Sequence, residues 1–168
     1  MTVTDSWVDR FGGKLVIVLL DNKKGPAIRD GRSLWGMYRT LTYRPGDMAY
    51  SIEVPKGFVT DLASIPRWGW ILLPPDGPWV KAAIIHDYLY ATGGTGVWKS
   101  HDRSIDRPAD YTREEADEIL REAMENRGVG PIRRNIIYLA VRIGGAGGWF
   151  KPKPQTLDDD AERQARAA

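Results

Sequence analysis

Cysteine is absent from the 168 residues, which excludes disulfide staples, thiolate nucleophiles and cysteine-built metal sites. Histidine is nearly absent too, with His86 and His101 the two in the chain, so imidazole chemistry falls to one of them. Long hydrophobic runs are missing. No stretch approaches the roughly 20 consecutive apolar residues of a membrane-spanning helix. The opening MTVTDSWVDRFGG lacks the apolar core of a secretory signal, and the expectation is a soluble protein made in the cytoplasm. A strong charge of either sign is also missing, because 24 Lys and Arg stand against 22 Asp and Glu for a net +2. The tightest basic cluster is Arg133-Arg134 with Arg127 nearby, read here as a solvated helix start. No specific nucleic-acid binding is expected from it.

What remains is globular in balance, with 42% hydrophobic and 27% charged residues. The length fits one domain with a real core. Seven tryptophans are enough for a core and leave a surplus for an interface or a carbohydrate surface.

The first third of the chain reads as strands. KLVIVLLD (14–21) is a short apolar run rich in Val and Ile, and NKKGP after it marks a turn. SLWGMYRTLTYRP (33–45) is rich in aromatic and β-branched residues and closes on Pro-Gly. MAYSIEVP (48–55) alternates with a period of two, the pattern of a half-buried antiparallel strand. TDLASIPRWGWILLPPDGP (60–78) fits neither template and reads as a structured loop.

The pattern then turns helical. Trp79, Ala82, Ala83, His86 and Tyr90 recur at helical spacing, predicting a helix over 78–91 that ends at Gly93-Gly94. Thr112 with Glu115 three residues on is a capping box that starts a second helix. Ala116, Leu120, Ala123 and Met124 form its apolar stripe. Pro131 opens a third helix to about residue 143, and GGAGG (144–148) ends the ordered chain. Strands first and helices after predict an α+β fold, with antiparallel strands followed by about three helices. The expected organisation is a lead-in at 1–12, a single domain at 13–149 and a flexible tail at 150–168.

Within AAIIHDYLY (82–90) an oily helix carries adjacent titratable groups. His86 and Tyr90 lie one turn apart on the same face. Asp87 points about 100° away round the helix, and it is read either as bonding a loop amide or as a metal ligand. Asp117 sits on the edge of the second helix's apolar stripe, where a carboxylate needs a hydrogen-bonding partner. The imidazole of His86 is a suitable one. A carboxylate holding one ring nitrogen fixes the tautomer and leaves the other nitrogen as a base for water. Two readings stand: a base held by its carboxylate, or a buried pair that ties two helices. Tyr90 serves either as a supporting donor or as packing. Asp61 is either a ligand beside the pair or an Asx-turn former. Ser64 is a nucleophile candidate for a Ser64–His86–Asp117 triad, although DLASIP is not the G-x-S-x-G elbow. A zinc site would need both His86 and His101 and shows no ligand spacing.

Two resemblances attach to these motifs. GFVTDLASIPR, AAIIHDYLY and ADEILREAM together resemble an uncharacterised family of phage and prophage proteins, a domain of unknown function. The resemblance implies synthesis in a bacterial host. It also implies virion proteins or host-envelope components as partners, but no established reaction. More distantly, His86-Asp87-x-x-Tyr90 with Asp117-x-x-Leu120-x-x-x-Met124 is similar to the active-site helices of secreted phospholipase A-two enzymes. That similarity implies His86 as base, Asp117 and Tyr90 as its supports, and Asp87 as a calcium ligand. Asp61 would be the further ligand candidate. The Gly-rich calcium loop and the cysteines of that family have no counterpart here; Leu89 stands where one cysteine is expected. The expectations are therefore a tail- or lysis-associated hydrolase acting on an envelope ester or amide, or a non-catalytic virion or host-factor-binding component.

Overall fold

A computed structural model describes residues 9–22, 25–29, 32–46, 49–62, 77–99 and 102–150. The fold is α+β, with antiparallel strands leading into three helices. One sheet orders β1 (Phe11–Gly12), β8 (Leu41–Tyr43) and β9 (Ile52–Val54). A second orders β10 (Val59–Thr60), β7 (Trp35–Met37) and β2 (Ile17–Leu19). Two short ribbons, β3 (Asp21–Asn22) with β4 (Gly25–Pro26) and β5 (Ile28–Arg29) with β6 (Arg32–Ser33), extend from the second sheet's strands.

The strand expectations hold in kind and differ in length. The run 33–45 is not one strand. Met37 and Tyr38 donate to Phe58 O and Val16 O, which fixes β7 in one sheet, and the chain bends before β8 joins the other. Residues 14–21 likewise divide at Leu20, a buried residue hydrogen-bonded to Leu34 and Ala27. Of the run 48–55, the described residues 49–55 contribute Ile52–Val54 as strand.

Helix α1 (Val80–Thr92) is apolar nearly all the way round, which suits a helix enclosed on every side. Ile84, Ile85, Tyr88 and Leu89 pack with Tyr43, Ile52 and Val54 from the strands and with Phe58 just before β10. Pro78 precedes this helix instead of lying in its first turn. Helix α2 (Arg113–Asn126) begins at the expected capping box, with Thr112 Oγ1 accepting from Glu115 N and Glu115 Oε2 accepting from Thr112 N. It buries Ala116, Asp117, Ile119, Leu120, Ala123 and Met124, facing α1. Helix α3 (Pro131–Gly144) starts on Pro131 and packs on α2 through Ile137, Ala140 and Val141. Tyr138 donates to Glu118 and Arg134 pairs with Glu125 along the same seam.

Order does not end at the glycines after α3. Gly145–Gly147 form a 3-10 turn, and Trp149 packs edge-on against Tyr90. No helix among the described residues is long and apolar enough to cross a membrane.

Candidate functional site

Three helices converge on one carboxylate. Asp117, on the buried face of α2, accepts at Oδ1 from His86 Nε2 at 2.9 Å and from the Tyr90 hydroxyl at 2.7 Å. Its Oδ2 accepts from Arg142 Nη1 of α3 at 3.0 Å, and Arg113 Nη1 lies 3.8 Å away. Helical spacing on α1 sets His86 and Tyr90 side by side, with ring centroids 4.2 Å apart. The pair is enclosed: His86 is 2% exposed and Asp117 0%.

Burial alone would raise the Asp117 pKa. The hydrogen bonds from His86, Tyr90 and Arg142 outweigh it and hold the carboxyl below its usual range, so Asp117 is ionised at neutral pH. Burial first, then the hydrogen bond to that carboxylate, pushes the Tyr90 phenol well above its usual value, so it stays a donor. With an ionised acceptor at Nε2, the imidazole in its neutral form carries its proton there. Nδ1 is left with a lone pair, buried and without a hydrogen-bond partner among the described residues.

Tyr90 is held from three sides. Its ring meets His86 and Trp149, its backbone carbonyl accepts from Phe150 N, and Gly145 lies over its hydroxyl. A Cβ at Gly145 would come within 2.7 Å of that oxygen, so a side chain there would displace the phenol from Asp117.

The structure thus brings together His86, Asp117 and Tyr90, as the spacing predicts. It adds Arg142 and Arg113, which the sequence reading missed. Asp87, half-buried, turns the other way, and its carboxylate accepts from the Thr60 hydroxyl at the end of β10. Thr60 Oγ1 in turn accepts from Leu62 N at 2.9 Å, which fixes Leu62 at φ 52 where the chain leaves the sheet. Asp61 beside it is buried. Ser64 and His101 lie outside the described residues.

Among the described residues no group of three or more His, Asp or Glu could hold a metal ion. Asp87 and Asp61 alone fall short of the six to eight oxygens that calcium takes. The donor set described therefore does not make a calcium cage.

Thr60 is testable. Thr60→Val keeps the shape but removes the donor to Asp87 and the acceptor of Leu62 N. The expected cost is about 1–3 kcal/mol, read as a lowered melting temperature, because Leu62 N loses its acceptor and Asp87 loses one donor.

A family model described as a protein of unknown function (DUF1353) matches residues 35–141, which run from β7 almost to the end of α3. That span holds Thr60, Asp61, His86, Asp87, Tyr90 and Asp117, and stops one residue short of Arg142. No curated protein matches the chain, and no solved structure matches it. With well over half of its length accounted for by that model, the chain belongs to the DUF1353 family of proteins of unknown function.

Proposed function

We propose that this chain is a hydrolase in which His86 is the general base and Asp117 its orienting carboxylate. One observation carries the reading: Nε2 of a buried imidazole is fixed by an ionised carboxylate while Nδ1, equally buried, has no partner among the described residues. Buried polar atoms are normally satisfied, so an orphan one is an exception that calls for a role.

In this reading the groups that cover Nδ1 move aside to admit water and substrate, and Nδ1 takes a proton from the water as its oxygen attacks the carbonyl carbon of an ester or amide. The imidazolium, steadied by Asp117, then returns the proton to the departing alkoxide or amine. Tyr90 and Arg142 are positioning residues that hold Asp117 and through it the ring. The similarity to phospholipase A-two helices supports this division of roles. The resemblance to phage and prophage proteins points to an ester or amide of the bacterial envelope, met in a tail or lysis setting.

A second reading has its own support. Both Asp117 oxygens are occupied and the carboxylate has no exposure, which is what an internal tie between three helices requires.

The two separate in one experiment. His86→Gln can keep a donor near the position of Nε2 but has no base at Nδ1. The purified chain is assayed on phospholipid vesicles, a chromogenic acyl ester and peptidoglycan. The hydrolase reading expects turnover that falls at least about 100-fold in His86→Gln, with the melting temperature kept within a few degrees. Absence of turnover in the unaltered chain on all three substrates, or turnover indifferent to His86→Gln, overturns it in favour of the tie.

A further inference from the structure

The outer face of α3 is apolar and bare. Ile132 is 78% exposed, Ile136 38%, Leu139 55% and Ile143 83%. Their spacing is four, three and four, the seam of a two-helix coiled coil, with Ile136 and Ile143 at one repeating position and Ile132 and Leu139 at the other. The opposite face of α3 is already engaged with α2, so this seam is left largely open among the described residues. Exposed apolar residues elsewhere, such as Ile28 and Val97, stand singly and need no partner.

We infer that the α3 seam docks a second copy of this chain, with the two α3 helices antiparallel. Two observations favour a copy of itself over other occupants. The first is the symmetry of the stripe. Pairing Ile132 with the partner's Ile143 also pairs Ile136 with the partner's Leu139, so all four layers close on apolar side chains. The second is the charge on its flanks. Helix α3 carries Arg133, Arg134 and Arg142 and no acidic residue. In the antiparallel register the flanking positions set Arg133 against Ala140 of the other copy and Asn135 against Arg142, so no like charges meet. An anionic membrane surface is the weaker fit. Arg134 is paired with Glu125, Arg142 with Asp117, and Arg133 lies over the Trp79 ring, so these cations are already engaged within the chain.

The area sets the strength. An exposed stripe of four large side chains amounts to several hundred Å², the size at which apolar patches mark interaction sites. Two copies with their flanks bury on the order of 1,000 Å², the lower edge of specific interfaces, which places the pair among weak associations.

Sedimentation velocity on the full chain tests this between about 1 and about 200 µM. A monomer–dimer equilibrium is expected. Ile132→Glu combined with Ile143→Glu, at the two most exposed positions, should weaken it at least 10-fold while leaving the melting temperature in place. The absence of native cysteine permits a second measurement. A mixture of Ile132→Cys and Ile143→Cys proteins should cross-link under mild oxidation, and neither should do so alone. A monomer throughout, a dimer indifferent to the double substitution, or cross-linking of each variant with itself would overturn the proposal. So would pelleting of a monomer with phosphatidylglycerol vesicles through this face.

Discussion

Asp117→Ala is expected to cost about 3–5 kcal/mol and to lower the melting temperature by on the order of 10 °C. The carboxylate is the common acceptor for His86, Tyr90 and Arg142. Its removal leaves a buried imidazole, a buried phenol and a guanidinium without their partner. That is the expensive way to break a buried network, because each remaining group keeps its desolvation cost and loses its compensation. Asp117→Asn should fall between the two. Its carbonyl still accepts from His86 and Tyr90, whereas its amide presents hydrogens to Arg142. Lowering the pH performs a partial version of the same experiment. The folded Asp117 titrates below the usual 3.8. Its contribution is therefore complete above about pH 4 and is lost as the pH falls through the folded value. The unaltered chain should lose this increment on acidification, and Asp117→Asn should not. Melting curves for the three proteins at neutral pH and near pH 3 check both statements.

What could be read from the sequence was what is local. The capping box at Thr112 and the proline at the start of α3 act within one turn of chain, and both appear where the residues place them. His86 and Tyr90 share a face because helical geometry allows nothing else. Asp117 was found as their partner because a carboxylate on an apolar edge needs a donor. The strands were harder, since their limits are set by pairing with distant segments. Tyr38 is turned by Val16, and Ile52 bridges Ile105 from the loop between α1 and α2. The remaining members of the site were missed for the same reason. Arg142 lies 25 residues from Asp117, and Thr60 lies 27 residues from Asp87. An arginine in a helix's last turn and a threonine at a strand's end look ordinary until the third dimension joins them. Gly145 carried a readable hint. A glycine directly after a helix usually means a stop, but here it also means that another residue's side chain must pass over it.

Gly94→Ala is expected to destabilise the fold by at least about 3 kcal/mol, and to do so through the geometry of the site. Gly94 has φ 79, and a Cβ there would sit 1.8 Å from the Tyr111 carbonyl oxygen. No rotamer relieves that contact, because both partners are backbone. The two segments would have to separate by more than an ångström, breaking the Tyr111 N to Gly94 O hydrogen bond of 3.0 Å. Gly128→Ala supplies the control. Its φ is 74, yet nothing lies within 4 Å of a Cβ. It should show only the left-handed backbone penalty of about 1–2 kcal/mol. The difference between the two variants is therefore the close approach itself. That approach matters because Tyr111 is buried immediately before the Thr112 cap. The contact fixes where α2 begins relative to the end of α1, and thus where Asp117 meets His86. Gly94→Ala should accordingly weaken the His86–Asp117 hydrogen bond as well as the fold, seen as a changed imidazole nitrogen chemical shift. Equal melting temperatures for Gly94→Ala and Gly128→Ala would mean that α2 takes its position from the apolar core alone. The registration of the two site helices would then rest on Leu89, Leu120 and their neighbours instead of on this backbone crossing.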